Sequence, residues 1–134
     1  MIGGYNELKI LNTIERFDPR IGKCEQVAAR MNECRCYASS DEHNGMIYVT
    51  GGWGGENYLD TVEMFEFDCR LTCKQQKIVK FAHSFRFEPR IVRWMNGPNL
   101  KNVRAYHSLI SDGQRLFVIG GEDCWLYDSN FMAC

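Results

Sequence analysis

The stretch MIYVTGG, residues 46–52, sets the fold, because five residues that favour β-strands run directly into two glycines. The same arrangement returns as LFVIGG at residues 116–121, and its end is present as IGG at residues 2–4. In the first two units a glutamate follows the second glycine by 11 residues, at Glu15 and Glu63. Self-similarity at a fixed period marks repeat architectures, so the three glycine pairs predict a repeated β unit and not chance turns.

The spacing of the glycine pairs gives the repeat length and locates an insertion. Gly4 and Gly52 lie 48 residues apart, whereas Gly52 and Gly121 lie 69 apart. The excess follows Glu63, which predicts an insertion over about residues 67–88, where basic and apolar residues alternate. Such a segment is either a tolerated solvent loop or an added binding loop that suits an acidic partner.

Further markers recur in the same order in both units. Met31-x-x-x-Arg35 matches Leu100-x-x-x-Arg104, and a turn glycine then precedes the next strand. This order resembles kelch repeats, whose period is about 50 residues, and within them the kelch-like (BTB-BACK-kelch) ubiquitin-ligase substrate adaptors. The resemblance implies an all-β fold, a kelch-type β-propeller fragment of about two and a half four-stranded antiparallel blades. The repeats then span about residues 1–34, 35–103 and a truncated 104–134.

The pattern also predicts where each strand of a blade lies. Asn44-Gly45 and Asp112-Gly113 are hairpin signals between the first and second strands, since both pairs tolerate positive φ. The predicted strands, from the innermost outward, are Cys36–Ser40 and Ala105–Ser111, then Met46–Thr50 and Arg115–Ile119, then Ile14–Asp18, Thr61–Phe67 and Trp125–Asp128, and finally Cys24–Ala28 and Ile91–Met95.

Several residues are expected to serve the architecture. The glycine pairs lie where strands crowd near a propeller axis, and glycine permits a close backbone approach. Glu15 and Glu63 occupy the same place in two units, which favours a repeated structural role over a catalytic carboxylate pair. Arg35 and Arg104 begin the innermost strands, and the resemblance implies that they support blade packing and border the binding face. Trp94 is predicted to pack on an outer strand.

Composition and charge exclude several classes of function. The formal net charge is −1, so no overall positive field draws the chain to nucleic acid or anionic lipid. No apolar run is long enough to span a bilayer, and the first residues lack a secretory signal. Seven cysteines without a signal predict reduced thiols in a cytoplasmic protein, with no cofactor. The pairs Cys34/Cys36 and Cys69/Cys73 lack the spacing of a zinc knuckle, although metal binding there stays open.

The expected function is protein binding on one rim of the propeller, because loops on a rigid scaffold carry recognition. The resemblance implies substrate recognition for a cullin-RING ubiquitin ligase, and actin binding is an alternative use of kelch propellers. Tyrosine, tryptophan and arginine dominate interface hot spots. The candidate rim residues lie in the loops after the glycine pairs and at the starts of the innermost strands: Tyr5, Asn6, Arg35, Tyr37, Trp53, Glu56, Asn57, Arg104, Tyr106 and His107.

Other hypotheses remain open at the sequence level. Cys36-Tyr37 and Tyr106-His107 supply residue types of a copper radical oxidase, but their equivalent repeat positions favour a structural role, and we expect no enzyme. The BTB and BACK segments do not occur in the sequence, so a cullin contact would need a longer parent protein. The chain is expected to be a fragment, a truncated product without independent function, or a subunit that completes its ring with another copy.

Overall fold

The computed structural model describes residues 1–66 and 93–122, which form ten β-strands and no helix within those ranges. A helix that could cross a membrane is not found in these two ranges. The strands, in chain order, are β1 Tyr5–Asn6, β2 Lys9–Ile10, β3 Ile14–Asp18, β4 Lys23–Val27, β5 Ser39–His43, β6 Met46–Thr50, β7 Val62–Glu66, β8 Trp94–Asn96, β9 Ala105–Ser111 and β10 Leu116–Glu122.

One complete blade lies between two half-blades. Strands β5, β6, β7 and β8 form a four-stranded antiparallel sheet in that order, which we call the complete blade. Strands β3 and β4 pair as the first half-blade, and β9 and β10 pair as the second half-blade. The short pair β1–β2 forms a separate hairpin. The all-β fold and the strand order within a blade therefore agree with a partial propeller.

Apolar side chains bury the inner part of each blade. Val49 on β6 and Phe65 on β7 are buried, and the Phe65 ring lies 5.0 Å from that of Trp94 on β8. This contact confirms that Trp94 packs on the outer strand. The buried apolar residues are Ile14, Met31, Cys36, Val49, Val62, Phe65, Ala105 and Leu109.

The complete blade and the second half-blade are joined along their innermost strands. Ser39 Oγ of β5 accepts a hydrogen bond from the Leu109 amide of β9 at 2.8 Å, and Asp41 Oδ2 accepts one from the Ser111 amide at 2.6 Å. Side chains on one innermost strand thus satisfy backbone donors on the next, which ties the blades at the backbone level.

The glycine pairs form the two blade junctions. At the first junction the Gly4 amide donates to the Arg35 carbonyl, at 2.9 Å, and at the second the Gly52 amide donates to the Arg104 carbonyl, at 2.8 Å. Gly3 and Gly51 both have positive φ, and a Cβ on Gly51 would overlap the Arg104 carbonyl oxygen. The expectation that glycine permits close backbone approach here is confirmed.

Strand boundaries follow the prediction in some places and depart in others. Met46–Thr50, Ile14–Asp18 and Ala105–Ser111 are observed as predicted. The predicted innermost strand Cys36–Ser40 is wrong, because Tyr37 has φ 55° and regular pairing begins only at Ser39. Smaller shifts of one to three residues affect the other predicted ends that lie in the described ranges, where the strands are Lys23–Val27, Val62–Glu66, Trp94–Asn96 and Leu116–Glu122. The predicted ends at Phe67 and Ile91 lie outside the described residues.

The two predicted hairpin turns differ in geometry. Asn44 and Gly45 both have positive φ, 53° and 78°, as the two-residue hairpin requires. At the other turn only Gly113 has positive φ, and Asp112 Oδ1 instead accepts from the Gln114 and Arg115 amides. This carboxylate turn explains why β10 begins one residue later than predicted. The predicted strand at 125–128, the insertion at 67–88 and the Cys69/Cys73 pair lie outside the described residues.

Candidate protein-binding face

The side chain of Arg35 lies inside the complete blade and not on its surface. It is 0% exposed, and its guanidinium donates to Glu63 Oε1 at 2.8 Å and to the Gly51 carbonyl at 2.9 Å. Further bonds reach Thr61 Oγ1 at 3.1 Å and Glu33 Oε2 at 3.0 Å. A planar cation with several donors suits a site where carbonyl and carboxylate oxygens converge. Arg35 therefore supports blade packing and is not part of the accessible face.

Glu63 completes this buried network from β7. Its carboxylate accepts from the Asn32 amide at 2.6 Å and the Glu33 amide at 3.1 Å, in addition to Arg35. The side chain is 2% exposed. The expected structural role is thus confirmed for Glu63. Glu15, at the equivalent place on β3, is exposed.

Arg104 repeats only part of this arrangement at the second junction. Its guanidinium donates to the Gly120 carbonyl at 2.7 Å, as Arg35 does to the Gly51 carbonyl. Within residues 1–66 and 93–122 no carboxylate forms an ion pair with it. Arg104 is only partly buried, so some of its surface borders solvent.

Tyr37 and Tyr106 form a stacked pair across the second junction. Their ring centroids are 4.5 Å apart with an interplanar angle of 27°. The Tyr106 amide donates to the Tyr37 carbonyl at 3.0 Å, so the backbone fixes their relative position. Both rings stay open to solvent, at 49% and 57% exposure. The sequence predicted both as rim residues, and the structure brings them together.

Both tyrosines also adopt an unfavourable backbone conformation. Each has φ 55°, a left-handed region in which a bulky residue is uncommon. The left-handed conformation costs roughly 1–2 kcal/mol for a residue with a Cβ. Such conformations persist only where the surroundings hold them, and they cluster at functional sites. Desolvation, together with the adjacent Tyr37, raises the pKa of Tyr106 above its ordinary value, so the hydroxyl is a hydrogen-bond donor at neutral pH.

Trp53 is paired through its backbone with Cys36, the residue that precedes Tyr37. The Trp53 amide donates to the Cys36 carbonyl at 2.7 Å, and the Cys36 amide donates back at 3.0 Å. The half-buried indole meets the Tyr58 ring edge to face, with centroids 4.8 Å apart. Glu56 and Asn57 are exposed at the tip of the same loop. We call Tyr37, Tyr106 and Trp53 the aromatic patch.

Tyr5 and Asn6 occupy the equivalent loop of the first unit. Tyr5 is exposed, and Asn6 Oδ1 accepts from the Leu8 and Lys9 amides at 3.3 and 2.9 Å, which fixes the turn. Leu8, at the tip of this turn, is 91% exposed. Among the described contacts none joins this hairpin to the aromatic patch.

His107 lies beneath the surface at the second junction. It is 8% exposed, and Nε2 pairs with Thr50 Oγ1 at 2.7 Å. Burial, aided by the charge of Arg104, lowers the pKa of His107 below its ordinary value. Of the ten predicted rim residues, Arg35 and His107 are therefore the two whose side chains are buried.

The cysteines of the described ranges are free thiols at positions 24, 34 and 36. Cys36 is buried, with Sγ 3.7 Å from the Trp53 carbonyl oxygen, and burial raises the pKa of its thiol. Across residues 1–66 and 93–122, histidine, cysteine and acidic side chains do not gather in groups of three that could hold a metal ion.

Comparison with known proteins identifies the repeats. The Kelch motif matches residues 2–30 and 34–70. Kelch repeat-containing protein kel-10 of Caenorhabditis elegans is 25% identical over 126 residues, which cover 90% of this chain and 18% of the relative. Residues 2–30 and 34–70 therefore carry Kelch repeats, and the chain spans about a fifth of the length of that relative. Kelch repeats generally mediate contacts between proteins and are typically binding modules rather than enzymes.

Proposed function

We propose that this kelch-repeat domain binds a partner protein through the aromatic patch. The observation that carries the proposal is the stacked, solvent-exposed pair of Tyr37 and Tyr106, both held in the left-handed region. An aromatic pair kept at a blade junction despite its backbone cost favours a role outside packing. Trp53 extends the same surface through its backbone pairing with Cys36.

The patch has the physical properties of an interface hot spot. Tyrosine and tryptophan supply a large contact area with few rotatable bonds, so ordering them on binding costs little entropy. Here the backbone bond from Tyr106 to Tyr37 already fixes the rings before binding. Exposed Glu56 and Asn57 provide polar groups at the rim of the patch.

The finer proposal is that the partner is a substrate and that the chain is the substrate-reading part of a cullin-RING ubiquitin-ligase adaptor in the cytoplasm. Its support is the resemblance of the repeats to the kelch-like adaptor family and the free thiols of the described ranges. The BTB and BACK segments of that family would have to come from a longer parent protein.

The experiment compares three forms of the chain, immobilised at equal amounts: wild type, the double variant Tyr37→Ala/Tyr106→Ala, and Phe17→Ala. Phe17 is a matched control because it is an exposed aromatic on β3, outside the patch. Proteins captured from cell extract are identified, then purified and titrated against each form. The proposal predicts one partner whose affinity falls at least tenfold in the tyrosine variant and stays unchanged in Phe17→Ala. Equal affinity for all three folded forms would overturn it.

Two further measurements separate the finer alternatives. An adaptor role predicts that the purified partner is ubiquitinated in cells and becomes more abundant when this chain is overproduced as a competitor. Actin binding predicts instead that the chain sediments with filaments and that the tyrosine variant does not. Sedimentation without any effect on partner ubiquitination would overturn the adaptor proposal and leave protein binding intact.

A further inference from the structure

The second blade junction contains a polar pair, one member of which is titratable, at the positions where the first junction has apolar residues. Thr50 faces Val62 across the sheet as Ile2 faces Ile14, so Thr50 and Ile2 are equivalent. A Cβ on Gly52 would meet the Ala38 side chain, and one on Gly121 would meet His107 in the same way. Where the first junction has Ile2 and Ala38, the second junction therefore has Thr50 and His107.

The histidine is confined on several sides. Nε2 is paired with Thr50 Oγ1, whereas Nδ1 is buried without a hydrogen-bond partner among the described residues. A Cβ on Gly51 would approach His107 Cε1 to 3.0 Å, which shows how closely the complete blade surrounds the ring. A protonated ring needs acceptors for both N–H groups, and a buried charged donor without one is costly.

The charged group that acts on the ring increases this cost. Arg104, three residues earlier in the chain, is the cation that opposes protonation. The other groups that face the ring are Thr50 at the end of β6, Gly51 after it, and Gly120 and Gly121 on β10. The carboxylates on the neighbouring strands have other places: Asp41 on β5 accepts from the Ser111 amide, and Glu122 on β10 lies opposite Ala105. No described carboxylate forms an ion pair with His107.

The histidine is also connected to the aromatic patch. It follows Tyr106 directly in β9, and the segment 104–107 is bound to the complete blade and its loops at four points. Two are backbone bonds of Arg104, whose carbonyl accepts from the Gly52 amide and whose amide donates to the Leu59 carbonyl. The others are the bond from the Tyr106 amide to the Tyr37 carbonyl and the His107–Thr50 pair. A change at His107 therefore acts on the segment that holds Tyr106 in place.

We propose that His107 is a proton sensor, whose protonation loosens the second junction and weakens partner binding by the aromatic patch. The proposal rests on the proposed function for its last step only, because the loosening can be measured without a partner. The direction follows from linkage. Since burial disfavours the charged ring, the unfolded chain binds the proton more tightly, and the junction is at full strength above about pH 6.5, the ordinary pKa of histidine. Its contribution is lost as the pH falls below that value.

The decisive comparison uses a variant that the repeat itself supplies. Thr50→Ile/His107→Ala gives the second junction the residues of the first and removes the titratable ring. His43→Gln is the matched control, because His43 also lies between the blades but is hydrogen-bonded through both ring nitrogens, to Ser111 and Asn44. The thermal midpoint Tm and the tyrosine fluorescence of each form are recorded from pH 7.5 to 5.5.

Wild type and His43→Gln are expected to lose about 5 °C more in Tm across this range than the double variant, with a change in tyrosine fluorescence that the double variant lacks. Equal pH dependence in all three folded forms would overturn the sensor. If the double variant does not fold, nuclear magnetic resonance titration of His107 in the wild-type chain decides, since a pKa at or above 6.5 contradicts the proposal. Partner titration at pH 7.5 tests the proposed function separately, because its failure there leaves the Tm result standing.

Discussion

At the scale of single residues, burial determines which of two equivalent side chains contributes to the free energy of unfolding. Glu63 and Glu15 occupy the same place in successive units, yet Glu63 binds Arg35 inside the complete blade and Glu15 is exposed. An ion pair in a buried site is costly to break by removal of one partner, because the other charge is left uncompensated. The two glutamates therefore form a natural pair of test and control.

Glu63→Gln is expected to lower the free energy of unfolding by about 3 kcal/mol, because it removes the buried carboxylate that faces the Arg35 guanidinium and leaves only that of the exposed Glu33. Glu15→Gln should change it by less than about 0.5 kcal/mol, as is usual for surface substitutions. Urea denaturation followed by circular dichroism measures both. Similar losses in the two variants would show that Arg35–Glu63 does not hold the blade.

Tyr37→Gly separates stability from binding at the aromatic patch. Glycine removes the cost of the left-handed φ at this position, roughly 1–2 kcal/mol, but also the stacking on Tyr106, about 0.5–1.5 kcal/mol. We expect stability to stay within about 1 kcal/mol of wild type, while partner affinity falls as it does in the double variant Tyr37→Ala/Tyr106→Ala. Denaturation and partner titration on the same preparation check this, and retained affinity would exclude the Tyr37 ring from the interface.

At the scale of elements, the glycine pairs explain how one blade is joined to the next. The Gly51 φ of 56° and the Arg104 carbonyl beside its α-carbon leave no room for a side chain. Gly22, in the turn after β3, has a similar φ of 65° but open space around it. Because both glycines share the left-handed backbone conformation, the difference between them measures the effect of the close approach of two blades alone.

Gly22→Ala is expected to cost roughly 1 kcal/mol, the penalty of the left-handed conformation alone. Gly51→Ala should cost distinctly more, because the new methyl group must also displace the Arg104 carbonyl and break its bond from Gly52. Thermal denaturation of the two variants gives the difference. Equal costs would mean that the second junction accommodates the methyl group without loss of stability.

The elements also show how far the sequence alone leads. The apolar run before Gly51 and Gly52 predicted β6 correctly, and the repeated sequence markers and the turn signals predicted the bounds of β3 and β9. The strand β5 was misplaced because regular pairing begins only at Ser39, two residues after the left-handed Tyr37, a conformation that the local pattern does not reveal. The burial of Arg35 likewise depends on Glu63 from a distant strand.

At the scale of the whole molecule, the second half-blade has an exposed apolar face. Ile110 on β9 and Phe117 on β10 lie opposite each other, and Ile119 follows on the same face of β10. Thr50, equivalent to Ile119, is buried in the complete blade. A contiguous apolar face that is exposed to solvent favours self-association.

The double variant Phe117→Lys/Ile119→Lys is therefore expected to reduce light scattering of the concentrated chain by at least half without lowering Tm. Leu8→Lys is the control, because Leu8 is more exposed but stands alone at the tip of a hairpin. Size-exclusion chromatography with light scattering compares the three forms. An effect of Leu8→Lys as large as that of the double variant would locate the association elsewhere.

Amide hydrogen exchange of the chain, measured with and without the purified partner, shows whether the partner is bound at the aromatic patch. If it is, binding slows exchange in residues 36–38, 53–58 and 104–107. Protection confined to β3 and β4, with unchanged exchange around Tyr37 and Tyr106, would contradict it.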